Sequence, residues 1–254
     1  MSPPLQQAHD ASELHRRWVS LARRLRLTVS ILAEPPGGTP VLALESVAAR
    51  AGEPAAYLSA GVHGDEAAPP WALLHWAEQH APQVRDGSFL ILPCLNPVGL
   101  QQNTRTDERG LDINRRFHLT RDPLARAWQR WITQRRMTIG LCLHEDYDAA
   151  GCYVYELGNH RSGLSAGILE RMRAVHGRIT PDPRSVIDGQ RARGGVIRRK
   201  KLPTHLPGMP EAIELHLRGC PITLTFETPS ELALHDRIDC QHAFIQTALQ
   251  QLCP

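Results

Sequence analysis

Between positions 55 and 66 the chain reads AAYLSAGVHGDE: small and apolar residues as far as Val62, then His63, Asp65 and Glu66. An imidazole and a carboxylate three residues apart on a sharp turn can reach one point. Zinc accepts both, and a catalytic zinc needs only one more protein ligand because water holds its fourth position. His144, directly after the apolar run 138–143, supplies that ligand, so His63, Glu66 and His144 form a candidate set for one zinc ion. Zinc in such a set brings the pKa of its water towards neutrality and polarises a carbonyl. Glu227, directly after the apolar run 222–226, is then the candidate general base, later the acid for a leaving amine. Each residue has a plainer reading: the His-x-x-Glu pair could cap the next helix, and Glu227 could be an N-cap or an ion-pair partner. What favours chemistry is that every switch from apolar to polar comes at the end of a strand-like run. If those strands are parallel, all the switches fall on one sheet edge, where α/β proteins bind ligands.

Residues 101–117 form a long polar stretch without apolar periodicity, and a loop of that length inside a compact domain is usually functional. Arginine binds a carboxylate through two parallel hydrogen bonds, and a neighbouring asparagine can donate to the same group. Asn114 and Arg115 therefore suit a substrate carboxylate, and Arg105 suits the oxyanion that forms at a scissile carbonyl. Arg109, Arg116 and Arg121 nearby keep open an arginine-rich surface loop.

The elements that must position these residues follow from the pattern. The segment 55–62 reads as a strand buried on both faces, turning at Gly61 and Gly64. Further strands are expected over 28–33, 40–47, 89–95, 138–143, 152–157 and 222–226, with a turn signature at 96–99. Helices are expected over 12–27 with Ser12 as N-cap, 71–80 opened by Pro69 and Pro70, 122–137, 164–175, 211–218 and 237–252. The stretch 180–210 is irregular, and Arg198–Lys201 reads as a solvated loop. The 254 residues carry a formal net charge of only +3, with no aromatic residues interleaved in that basic run, so no nucleic-acid partner is expected. Six cysteines form no CxxC pair, and Cys94, Cys142 and Cys220 lie in apolar runs, the pattern of reduced core thiols. With no apolar stretch near membrane length and no leader pattern in MSPPLQQAHDASE, the expectation is one soluble, cytoplasmic α/β domain over 1–254, without a membrane partner.

The ordered set HGDE, Asn96–Pro97–x–Gly99, Arg105, the D-x-N-R-x-F of 112–117, a distant histidine and Thr225–x–Glu227–x–Pro229 resembles the zinc metallocarboxypeptidases of family M14. It is most similar to the small bacterial branch that includes murein peptide amidases and borders the succinylglutamate desuccinylase/aspartoacylase group. The resemblance implies a three-layer α/β fold with a mostly parallel, partly mixed eight-stranded sheet flanked by helices. It also implies one zinc on His63, Glu66 and His144, the base at Glu227, carboxylate binding by Asn114 and Arg115, and carbonyl polarisation by Arg105. The implied substrate is a peptide whose amide bond lies next to a free carboxylate. The alternative is an N-acyl amino acid cleaved by a deacylase. Two departures stand out: no tyrosine follows Tyr155, with only His205 in the region of the family's substrate-capping tyrosine, and Glu145, Asp146 and Asp148 crowd the ligand histidine. A binding module would lack a ligand or the base, and a two-zinc enzyme would recruit Asp65.

Overall fold

The computed structural model describes residues 7–158, 163–199, 202 and 207–252. Asp10 caps the first helix, α1 (Ala11–Leu25), by accepting from the Glu13 N–H at 2.8 Å. The cap is therefore Asp10 rather than Ser12, since the aspartate lies where the first free N–H groups point. Strands β1 (Thr28–Ala33) and β2 (Val41–Glu45) follow, then a single turn, α2 (Val47–Arg50), and β3 (Ala55–Ala60). Helix α3 (Ala68–Gln79) opens with Pro69 and Pro70 inside its first turn, and α4 (Ala81–Asp86) leads to β4 (Phe89–Leu92). The sequence 96–99 begins a helix, α5 (Pro97–Gln102), instead of a plain turn: the Asn96 side chain caps it by accepting from the Gly99 N–H at 2.8 Å. Then come α6 (Pro123–Ile132), β5 (Met137–Asp146), β6 (Tyr153–Gly158) and α7 (Leu164–His176). The irregular stretch holds a short hairpin, β7 (Val186–Ile187) with β8 (Gln190–Arg191), and β9 (Val196–Arg199). Helix α8 (Glu211–Leu217), β10 (Ile222–Pro229) and α9 (Leu234–Leu252) complete the order.

The main sheet has eight strands in the order β1-β2-β4-β3-β5-β10-β6-β9. Its centre, β4-β3-β5-β10, is parallel, while β2 pairs antiparallel with β4, and β6 with β10. This is the mixed eight-stranded α/β sheet that the family resemblance implies.

Alternation along the strands divides the chemistry from the packing. On one face Leu58, Leu141, Leu143, Leu224 and Phe226 enter a core with α1, α3, α7 and α9, where Phe226 and Phe244 stack at 4.0 Å. Truncating an aromatic so buried costs about 3–5 kcal/mol. Those residues commit their neighbours Tyr57, Cys142, His144, Thr225 and Glu227 to the opposite face. That face is apolar beneath α6 and α8, where Tyr57, Leu90, Trp128 and Leu215 are buried together. Towards β6 and β9 it becomes polar and opens into a cavity.

Cys94, Cys142, Cys152, Cys220 and Cys240 are buried and free, and Cys253 lies outside the described residues. Among the described residues no helix is long and apolar enough to cross a membrane.

Candidate active site

Because β3, β5 and β10 are parallel, their C-terminal ends lie together. His144 and Glu227 are register partners on β5 and β10. Both strands run further than the sequence pattern predicts, to Asp146 and Pro229, because ladder pairing continues through the polar residues. After β3 the chain turns at Gly61, whose φ is +63°, and Gly64 lies flat against the backbone of Gly99 and Leu100. A Cβ on Gly64 would stand 1.9 Å from the Gly99 carbonyl carbon, so only glycine lets this turn seat. The turn brings His63 and Glu66 beside His144.

All three side chains are buried. His63 Nδ1 lies 2.5 Å from Glu66 Oε1, His144 Nδ1 lies 3.0 Å from Glu66 Oε2, and the two rings are 5.1 Å apart. Their candidate ligand atoms all fall within 4.8 Å of one another. Glu66 Oε2 and His63 Nε2 are buried without a well-aligned hydrogen bond, despite near neighbours. Two imidazoles and a carboxylate whose lone pairs converge in this way fit a divalent metal ion better than they fit each other. Asp65 is exposed and stays outside the cluster.

The charges on these groups show the same strain. Burial by itself would lower the His63 pKa, but Glu66 and Asp112 outweigh it and push it up to about 9. Burial opposes ionisation of Glu66, yet His63 and His144 hold its carboxyl well below the usual carboxylate range. His144 is raised because Glu66 and Glu227 overcome its burial. The carboxylates thus favour positive charge on both imidazoles, the place where a bound cation would instead supply it in competition with protons. Burial pushes the Glu227 carboxyl far up, against His144 and with Glu66, Asp146 and Asp188.

Arg105, half-exposed at the rim, has Nη1 3.8 Å from Glu66 Oε1 and donates from Nε to Asp112 Oδ2 at 3.3 Å. Asn114 and Arg115 sit on a 3-10 turn, Ile113–Arg115, capped by Asp112. They line a cavity of about 360 Å³ together with Arg105, His63, Glu66, His144 and Glu227. Arg109 and Arg116 are spoken for elsewhere: both reach Asp122 Oδ2 at 3.0 Å and pin the loop to the start of α6. The loop arginines therefore divide into two that face the cavity and two that hold the loop in shape.

Sequence reasoning gave Asp112 no role, yet its Oδ1 lies 3.4 Å from His63 Nε2 while Oδ2 holds Arg105. A carboxylate on the far nitrogen of a ligand imidazole fixes the ring and strengthens it as a donor. Its place two residues before Asn114 was the available signal. The acidic cluster after His144 does other work. Glu145 faces away, accepting from Arg237 at 2.7 Å and from the Ala68 N–H at 3.0 Å, and burial pushes its pKa up to about 7. Asp146 accepts from the Tyr153 hydroxyl at 2.9 Å. Tyr153 and Tyr155 form the cavity wall towards β9, and His205 lies outside the described residues. Arg199 also lines that wall, above the Tyr155 ring at 5.1 Å, so half of the expected solvated loop is strand; Lys200 and Lys201 lie outside the described residues.

Residues 53–177 match the family model of the succinylglutamate desuccinylase/aspartoacylase catalytic domain. The matched segment spans 125 of the 254 residues, just under half of the chain. A candidate metallopeptidase from Shewanella amazonensis shares its fold at a TM-score of 0.81 and 24% identity, over 96% of this chain and 94% of that one. A metallo-carboxypeptidase from Burkholderia cenocepacia aligns at a TM-score of 0.67 and 16% identity, covering 94% and 67%. Thrombin activatable fibrinolysis inhibitor aligns at 0.69 and 13% identity, covering 96% and 74%. No curated protein sequence gives a significant match.

Proposed function

We propose that this protein is a zinc-dependent hydrolase that cleaves an amide bond next to a free carboxylate, as a carboxypeptidase or peptide amidase does. The observation that carries this reading is the placement around one cavity of His63, Glu66 and His144, with Glu227 in register beside His144 and Arg105, Asn114 and Arg115 lining the same space. His63, Glu66 and His144 would hold the ion. Zinc bound there would lower the pKa of a water and polarise the scissile carbonyl. Asn114 and Arg115 grip the substrate's carboxylate and set its amide in place. The Glu227 carboxylate takes a proton from the attacking water on an Oε atom and returns it to the departing nitrogen. Arg105 supplies N–H donors to the oxygen that gains negative charge. Asp112 keeps the Arg105 guanidinium at the rim and the His63 ring in one orientation.

A second reading is an N-acyl-amino-acid deacylase, favoured by the match of residues 53–177 to the desuccinylase/aspartoacylase catalytic domain. The same groups serve it, with the acyl portion in the deeper part of the cavity. Metal analysis and a panel of peptides, their C-terminal amides and N-acyl amino acids separate these outcomes. One zinc per chain, with hydrolysis restricted to substrates bearing the free carboxylate, is expected. Two metals per chain, or equal cleavage of the amidated peptides, would overturn the reading.

A further inference from the structure

One carboxyl near the site is used by none of these steps. Glu211, the first residue of α8, is 1% exposed. It accepts a short hydrogen bond from the Tyr57 hydroxyl, which in turn accepts from Trp128 Nε1 at 2.8 Å. Burying a carboxyl is costly, and an apolar side chain would fill the same space more cheaply. The backbone of Glu211 suggests what its anchorage achieves. Its N–H donates to Asn114 Oδ1 at 2.9 Å, across 97 positions in sequence. Of the two ends of a side-chain amide only the oxygen accepts, so this bond fixes which way the Asn114 amide faces. With Oδ1 occupied, the free end is the NH₂, which bonds to no described residue. If the amide turned over, it would present its carbonyl oxygen to the substrate carboxylate, and two acceptors repel. The adjoining backbone follows the same track: Met209 N–H donates to the Arg115 carbonyl at 3.1 Å, and Phe117 N–H to the Met209 carbonyl at 3.3 Å.

We infer that Glu211 is a positioning residue: its carboxyl, fastened to Tyr57 on the sheet, fixes the backbone N–H that turns the Asn114 NH₂ towards a carboxylate ligand. The inference rests on the reading of Asn114 and Arg115 as the carboxylate anchor. Glu211 touches no substrate; it acts through Asn114.

The test is an NMR titration of the zinc-loaded, ¹⁵N-labelled protein with N-acetylglycine, and with N-acetylglycinamide as the uncharged comparison, following the Asn114 side-chain NH₂. Wild type should bind the acid in preference to the amide, and Arg115→Ala should lose that preference. Glu211→Ala should weaken N-acetylglycine binding about tenfold, the scale of one well-placed hydrogen bond to a charged group, with zinc content and amide binding unchanged. Glu211→Gln, which keeps an acceptor for Tyr57 and the same backbone N–H, should restore wild-type affinity. Tyr57→Phe removes the hydroxyl that donates to Glu211 while leaving Glu211, should weaken acid binding in the same sense, and serves if Glu211→Ala does not fold. Wild-type affinity for the acid in both Glu211→Ala and Tyr57→Phe, or in Tyr57→Phe alone where Glu211→Ala does not fold, would overturn the Glu211 role alone. Equal wild-type binding of acid and amide would remove the anchor and the Glu211 role together.

Discussion

Glu227 is the residue whose removal separates chemistry from assembly. It is buried on β10 beside His144 and contributes no atom to the candidate ligand cluster. Glu227→Gln keeps the shape and deletes the proposed proton acceptor. Zinc stoichiometry should stay at its wild-type value while kcat falls by about 10²–10⁴, the usual contribution of a positioned general base. Turnover near wild type would take the role of base away from Glu227. The candidate ligand set and the proposed base were legible as side chains at the ends of apolar runs, because strand chemistry writes itself locally. Asp112 and Glu211 were not. Each acts on a partner distant in sequence, Asp112 on His63 and Glu211 on Asn114, and no periodicity marks such a meeting.

At the scale of elements, the turn after β3 carries the greatest constraint. Gly64 has no room for a methyl group against the Gly99–Leu100 backbone, and backbone cannot swing aside as a long side chain can. Gly64→Ala should lower stability by roughly 2 kcal/mol or more and should displace His63 and Glu66 from His144. Calorimetry and metal titration report the two effects separately, and an unchanged melting temperature with full zinc binding would contradict the packing described. The glycines of this turn were readable from sequence, but the helix that presses on it was not. Asn96–Pro97–Val98–Gly99 has the composition of a turn, and it begins α5 because the Asn96 side chain takes over the free N–H of Gly99. Segment 180–210 was the least legible element, since β7, β8 and β9 are two to four residues long and depend on pairing for their existence.

For the whole molecule, acid stability offers a test away from the site. His75 on α3 is buried, and burial with the nearby Arg17 guanidinium pushes its pKa down to about 4. In the unfolded chain the value is about 6.5, so between these values the unfolded state binds the extra proton. His75 therefore gives its full support above about pH 6.5 and loses it progressively as the pH falls towards 4. Denaturant melts of wild type and His75→Gln across this window should show a shallower pH slope in the variant; parallel curves would place the titration elsewhere. The order of apolar runs made a covered α/β sheet readable, and its mostly parallel, eight-stranded form was what the family resemblance implied. The strand order was not readable, because the antiparallel entry of β6 beside β10 is decided by contacts among distant segments.

Reaction chemistry and core share the same strands at every second position, with Phe226 and Leu143 facing the helices while Glu227 and His144 face the cavity. Inserting one residue upstream in β10 would exchange the two sets, sending an acid into the oily layer and a phenyl ring towards the cavity. Such a chain would lose its candidate site and its interior in a single event. Diversification within this scaffold is therefore confined to loops and to substitutions that preserve strand length, and the spacing between residues is as much a part of the site as their identity.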